Sequence, residues 1–449
     1  MADDNTNEAR EIIDSIAAGD ISVPMSPDFS PEEHAKLNNR NIVMRSLECT
    51  AKGAPYQTLT NNVRVLQLDD NLRGRFGYDR FTLEETVELP VPWDPSGTGR
   101  KSIEEHDILN FAMYIEDFGL TNKAKAEDAL KIVCHHCEYD SAQEFLESLK
   151  YEGQVHRQDA LSLFLGVERT DYSLAVAKLA FNGAVMRIMQ PGCKYDYIPT
   201  LIGAQGIGKS QFAKRMALRL PWHLDKIGDL KDKHSLEVLR AKTVFEMAEL
   251  SEKKGAKQET LKQWVTSQVD CYRAPYDRRS KDHPRRFTII ATTNEAMFLD
   301  DPTGDRRWLP VRCNADKVEL DLFDDELCEH WFTQAYAEAM AEYHANGGNL
   351  SLVLPAGVAQ TASEARDSAR IDDPDEGRIA AYMMDNPNAE ICTGMVLQNA
   401  YYEEGVPVRD TPSANKVAAV LNSFDWVTKG EGKKRFKHYG PARWWMYKV

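Results

Sequence analysis

The segment Gly203-Ala204-Gln205-Gly206-Ile207-Gly208-Lys209-Ser210 follows the spacing G-x-x-x-x-G-K-S. Glycines so placed let backbone N–H groups curl around an oxyanion, and a helix starting there adds the partial positive charge of its N-terminus. In that layout the lysine reaches β and γ phosphates and the serine hydroxyl ligates magnesium. The run through Gln211 therefore reads as a cradle for ATP, or another nucleoside triphosphate, with Mg2+. Its setting agrees, because residues 198–202 read as a short apolar strand and 211–220 as a helix stopped by Pro221. Pro199 alone jars, since a proline inside a strand removes a ladder donor.

A phosphate cradle needs an acidic partner for metal and water, usually at the end of a neighbouring strand. Residues 243–245 are strand-like and lead into Glu246, with Glu249 three residues on. Glu246 is assigned to the metal and its water, Glu249 to positioning or deprotonating the attacking water, and the two roles are exchangeable. A β-branched run ending in Thr292-Thr293-Asn294 could deliver Asn294 beside the γ-phosphate to orient that water. Arg306 and Arg307, after a Gly304 turn, could stabilise charge on the transferring phosphoryl group. If either acts in trans, the protein must assemble with copies of itself.

These residues must be carried by a larger frame. The 449-residue chain is 42% hydrophobic and 28% charged, ordinary for a folded multidomain protein. No apolar run is long enough to span a bilayer, and the N-terminus lacks a basic-then-apolar leader, so a cytoplasmic protein with no membrane partner is expected. The net charge of −15 argues against a surface coated for nucleic acid, but two local patches oppose it. Residues 278–286 carry five cations and one acid, so +4, and residues 429–449 carry seven and one, so +6. Cys134 and Cys137 lack a second close pair and read as part of a helix, not as half a zinc site.

The expected organisation is an acidic flexible arm over 1–50 and an N-terminal mainly helical domain over 51–190. An α/β domain over 191–345 would hold the cradle. A linker over 346–377 would lead to a small unit over 378–449. Residues 55–92 suggest a few short strands. Apolar spacing of three and four suggests helices near 103–118, 123–137, 142–149, 157–165, 173–188 and 322–344.

Taken together, the motifs resemble the virulence-associated protein E family, a branch of phage and mobile-element superfamily 3 helicases. The resemblance covers roughly residues 55–345. It runs in family order through Tyr56-Gln-Thr-Leu-Thr-Asn-Asn, residues 145–153 and Pro191-Gly-Cys-Lys-Tyr-Asp196. It continues through the cradle, Asp270-Cys-Tyr-Arg273-Ala-Pro-Tyr276, Pro284-Arg285, Thr292–Asn294 and Thr303-Gly304-Asp305-Arg306-Arg307. Family members more often have Asn at the place of Asp305. The resemblance implies an AAA+-like superfamily 3 helicase core of the P-loop NTPase class. It implies a homo-hexameric ring that hydrolyses ATP and moves along single-stranded or forked DNA in phage or mobile-element replication. If the chain is phage-encoded, it would act in a bacterial host's cytoplasm. A basic hairpin before the polar strand would touch DNA through Arg278, Arg279, Lys281, His283 and Arg285, with Lys281 and His283 near its tip.

The C-terminal unit resembles a winged helix, with residues 413–424 as recognition helix and 429–435 as wing. No primase pattern is found in residues 1–150, so primase activity would come from a separate protein. The competing readings are an ATP-dependent DNA-binding initiator or interference scaffold without processive unwinding, and a small-molecule kinase. The arginine pair and the polar strand weigh against the kinase.

Overall fold

The computed structural model describes residues 31–227, 236–248, 263–273, 279–299, 305–370, 374–403, 406–407, 412–424 and 426–447. Glu249, Arg278, the segment 1–30 and residues 300–304 lie outside them.

The N-terminal unit mixes helices with a sheet, where a mainly helical domain was expected. Strands β1 (Phe76–Asp79), β2 (Glu84–Val91), β3 (Asp94–Ser102) and β4 (Glu138–Tyr139) pair in the order β3-β2-β1-β4. Residues 63–68, read as strand, are helix Leu59–Leu68. Thr58 caps it by accepting from the Asn61 N–H, and Val65 and Leu66 then fall on its buried face. Helix Pro31–Ser46 reaches into what was expected to be a flexible arm, and Val43 and Leu47 are buried in the same core as Phe76 and Phe111. Cys134 also packs there, in helix Lys123–His136, while Cys137 caps that helix and is exposed.

A parallel sheet follows. Its strands are β5 (Ile198–Ile202), β6 (His223–Leu224) and β7 (Val244–Ala248), then β10 (Thr288–Thr293) and β11 (Trp308–Arg312). Between β7 and β10 an antiparallel hairpin, β8 (Val269–Tyr272) and β9 (Lys281–Pro284), stands apart. The order β11-β5-β10-β7-β6 puts the cradle-bearing β5 inside the sheet. Parallel strands bury both faces, which explains their apolar runs. Alternate residues part accordingly: Val244 and Ile290 face one core with Phe212 and Phe332, whereas Phe245, Met247, Ile289 and Ala291 face another with Trp264 and Phe287. Pro199 fits because the pairing of β5 with β10 starts one residue later, at Thr200.

Two long helices cover the first face. Asp171–Met189 is apolar almost all round because it lies inside that core, and its capping box, Thr170 with Ser173, fixes where it begins. Asp325–Ala345 starts at Asp324, which accepts from the Leu327 N–H, and ends before Gly347 and Gly348 at φ 67° and 87°. Phe181 links the two helices through Phe332 and Tyr336, and truncating it to alanine would cost about 3–5 kcal/mol. The domain boundary expected at 190 therefore cuts through one core. Likewise 346–370 is not a free linker: Leu350, Val358 and Ala362 are buried in that core, and helix Ala359–Asp367 packs on β11.

The C-terminal unit holds helices Pro374–Asp385, Thr393–Asn399 and Ala414–Ser423 around Ile379, Val396, Leu421 and Trp445. Short segments β12 (Tyr402–Glu403) and β13 (Val406–Pro407) pair between the second and third helices. After the third helix, β14 (Val427–Lys429) pairs with β17 (Trp445–Tyr447). Enclosed between these two, β15 (Lys434–Phe436) pairs with β16 (Gly440–Ala442).

Candidate functional site

Strand β5 ends at Ile202 and the chain turns through Gly203–Gly208 into helix Lys209–Met216. Gly206 and Gly208 have φ 89° and 101°, where a side chain is strained, and a Cβ on Gly208 would also come within 2.9 Å of Leu322. The helix is shorter than expected, because Leu218 turns to φ 64° ahead of Pro221. Lys209 folds back over the loop. Its Nζ donates to Gly203 O at 2.7 Å, Ala204 O at 2.8 Å and Asn294 Oδ1 at 3.0 Å. Burial draws its pKa below the usual lysine value, and nearby Cys313 and Glu246 push the other way. Ile207 packs inward against the core, while Gln205 and Gln211 line a cleft of about 600 Å³ with Ser210, Thr293 and Asn294.

Glu246 sits on β7, and its side chain is only 2% exposed. Its Oε1 accepts from Ser210 Oγ at 2.5 Å and Thr292 Oγ1 at 3.0 Å, and its Oε2 lies 3.5 Å from His223 Nε2. Burial alone would raise its pKa. The nearby His223 ring and hydrogen bonds from Ser210 and Thr292 together outweigh burial and hold the carboxyl below its ordinary value. A carboxylate so held is ionised at neutral pH, and Ser210 Oγ beside it offers a second hard oxygen. Such a pair suits magnesium, which prefers one or two protein oxygens plus phosphate and water. Glycines at positive φ, a buried cation and a hard oxygen pair at one cleft fit a magnesium–nucleotide.

A family model for the virulence-associated protein E-like domain matches residues 146–370, which is 225 of the chain's 449 residues. The chain belongs to the virulence-associated protein E-like domain family. The family resemblance is thereby shown over residues 146–370, which leaves the motif at Tyr56 outside the match and runs past the expected end at 345. The C-terminal region of NrS-1, residues 305–718, is similar in two apo structures. One has 13% identity and TM-score 0.44, with 83% of this chain and 96% of that one covered. The other has 13% identity and TM-score 0.45, with 83% and 95% covered. No curated protein matches the chain.

The virulence-associated protein E-like domain thus contains the cradle, Glu246, Asn294, the hairpin and the arginine pair. Lys209, Ser210 and Asn294 line the cleft, and Glu246 lies buried beneath it, bonded to the lining residues Ser210 and Thr292. Asn294 engages Lys209 directly, a contact not foreseen. Arg306 and Arg307 lie elsewhere. Trp308 is level with Ile198 in the parallel register, so the pair sits at the opposite end of the sheet from the cradle. The five residues of β5 lie between the level of Arg307 and Gly203, roughly 20 Å along the strand. Arg306 is exposed and Arg307 half-buried.

The hairpin is where the resemblance implied it, between β7 and β10. Its strands are joined through residues 273–280, of which 274–278 lie outside the described residues. Lys281 and His283 are on its second strand, opposite Tyr272 and Asp270, not at its tip. Arg279 and Lys281 are exposed, while the His283 ring stacks on Tyr272 at 4.0 Å. Arg285 is corrected outright, because it is 2% exposed and cannot face DNA. Its guanidinium grips Asp270 at 2.6 and 2.9 Å, donates to Trp264 O at 2.8 Å and lies over the rings of Trp264 and Phe287. Arg286, in the same basic run, pairs with Asp140 at 2.6 Å.

Three side chains at the site are not evident from sequence. Thr292 reads there only as strand, although its distance from Asn294 could have placed it. His223 has no local signal: β6 is two residues long, and only its pairing with β7 brings the ring to Glu246. Phe323 lines the cleft and is 69% exposed, the only aromatic ring among the described residues that line it.

Proposed function

We propose that this chain is an ATP-dependent DNA helicase of the superfamily 3 type, acting as a homo-hexameric ring on single-stranded or forked DNA in phage or mobile-element replication. The observation that carries the reading is that Lys209, Ser210 and Asn294 line one cleft at the carboxyl end of the sheet, with Glu246 buried beneath it on β7 and bonded to Ser210. Ligands of open parallel sheets bind at that end.

The N–H groups of residues 204–210 would hold phosphate oxygens, and Lys209 would exchange its carbonyl partners for them. Magnesium bound there would neutralise charge shared between the β and γ phosphates. Glu246, already ionised, would keep the Ser210 hydroxyl directed at the metal. Asn294, once Lys209 turns to phosphate, would have its amide available for the attacking water. Glu249 is proposed for water activation on its sequence position alone. Arg306 and Arg307, far from their own cradle, would serve a neighbour's nucleotide. Arg279 and Lys281, with Arg278 by sequence position, would contact DNA phosphates from the hairpin. The C-terminal unit is read as a winged helix, in which Ala414–Ser423 is the third helix and residues 430–444 the wing.

Purified chain should hydrolyse ATP faster with single-stranded DNA and unwind a fork. Lys209→Ala should lower hydrolysis at least a hundredfold. Wild-type hydrolysis by that variant overturns the reading. DNA-stimulated hydrolysis without unwinding would favour the initiator alternative.

A further inference from the structure

The wing and the third helix of the C-terminal unit differ sharply in charge. Among the described residues, helix Ala414–Ser423 carries one charged side chain, Lys416, and that cation is paired with Asp375. Its remaining exposed positions are small or neutral: Ala414, Asn415, Ala419 and Asn422. Asn422 is itself engaged, accepting from Trp445 Nε1 at 2.9 Å. This surface offers a major groove no unpaired cation for phosphates, and Asn415 is its one exposed amide not already engaged, a single contact where a recognition helix uses three or four.

The wing has the opposite character. Residues 430–444 contain five Lys or Arg and one Glu, so +4, in a chain of net charge −15. Lys433, Arg435 and Lys437 are all exposed and fall within five consecutive residues: Arg435 stands on β15, Lys433 immediately before that strand and Lys437 in the turn immediately after it. Among the described residues these three form no ion pair. Lys434 pairs with Glu390 and lies 5.7 Å from the Trp444 ring. The wing is fastened to the body. A Cβ on Gly430 would come within 1.9 Å of Trp444, so the indole lies flush on that glycine, and the Tyr439 hydroxyl bonds Gln398 in the second helix. An ordinary solvated charge run needs no such fastening. Holding three cations in fixed positions lowers the ordering cost of binding a polyanion.

We propose that the wing, through Lys433, Arg435 and Lys437, grips the phosphate backbone of duplex DNA without reading its sequence, and that the third helix does not enter the groove. This rests on reading the chain as a DNA-acting protein, not on its being an ATPase.

The test uses the full chain, with fluorescence anisotropy on two labelled duplexes of unrelated sequence across a salt series. Three changes combined, K433A, R435A and K437A, should weaken duplex binding at least tenfold at low salt. They should flatten the salt slope by about 2–3, near 0.9 for each phosphate no longer neutralised. Both duplexes should bind alike, and Ala419→Glu on the exposed helix face should change affinity less than threefold. DNA-free ATPase should be unchanged in all variants, which separates failure here from failure of the helicase reading. Strong loss with Ala419→Glu, or marked preference for one duplex, overturns the proposal in favour of groove reading. Unchanged duplex binding by the triple variant overturns it in favour of a wing that docks protein.

Discussion

The two ends of the parallel sheet use charge in opposite ways. At the carboxyl end, Lys209 and Glu246 are buried but held by partners that a ligand can replace: loop carbonyls, a serine hydroxyl and a side-chain amide. At the amino end, Arg285 is fixed by a bidentate carboxylate, two backbone carbonyls and two aromatic faces. Arg187 lies beside it, donating to Tyr195 O at 2.9 Å, and burial pulls its pKa down to about 10. One end is arranged to exchange partners, and the other is arranged to hold the base of the hairpin still. Burial of a charge therefore marks function only when its partners are exchangeable.

That contrast can be broken most severely at the carboxyl end. Glu246→Gln should lower kcat for ATP by about a hundredfold to ten-thousandfold while nucleotide binding persists. A variant with near-normal kcat would move the metal and water role to another residue. At the amino end, Arg285→Ala should leave Asp270 buried and unpaired, destabilising the protein by about 3–5 kcal/mol in chemical denaturation. A loss of DNA binding with unchanged stability would mean that Arg285 reaches DNA after all. The exposed pair should behave in the reverse manner. Arg279→Ala with Lys281→Ala should leave the melting temperature within a degree or so and flatten the salt dependence of single-strand binding by roughly 1.4, near 0.7 for each phosphate.

Two smaller effects sharpen the picture. Phe323→Ala should raise KM for ATP by roughly 2- to 12-fold with kcat unchanged, if the ring stacks on the base at about 0.5–1.5 kcal/mol. An unchanged KM would leave the ring without a role in nucleotide binding. The pH effect concerns Glu246. Its folded pKa is depressed below the ordinary 4.5, so its contribution to stability is present above that value and is lost as pH falls through the folded value. Without magnesium, the stability difference between wild type and Glu246→Gln should accordingly shrink below about pH 4.5 in thermal unfolding. A constant difference would mean that the carboxyl keeps its ordinary pKa when folded.

The chemistry was legible wherever short-range spacing encodes it. The cradle and Asn294 each follow the end of a strand, and Glu246 lies in one, although that strand runs on to Ala248 where it was expected to end at Glu246; the strand pattern is local. What stayed hidden depends on contacts distant in sequence. The run 278–286 looked like one basic patch, but Asp270 and Asp140 remove Arg285 and Arg286 from it, and neither acid is near them in sequence. The strand expected at 63–68 became helix because one capping threonine outweighed a β-branched alternation. The boundary drawn at 190 failed because an almost wholly apolar helix has no clean face to reveal which sheet it covers.

Trp308 lies level with Ile198, so a chain's arginine pair and its cradle occupy opposite ends of the same sheet. In the proposed ring every working site is then a composite of two chains, and a lesion is not confined to the subunit that bears it. Each Arg307→Ala subunit mixed into a wild-type ring should silence one neighbour's site and leave the other junctions working. Mixed with Lys209→Ala subunits, such subunits should complement: where two defective chains meet, one junction collects both lesions and the other is whole.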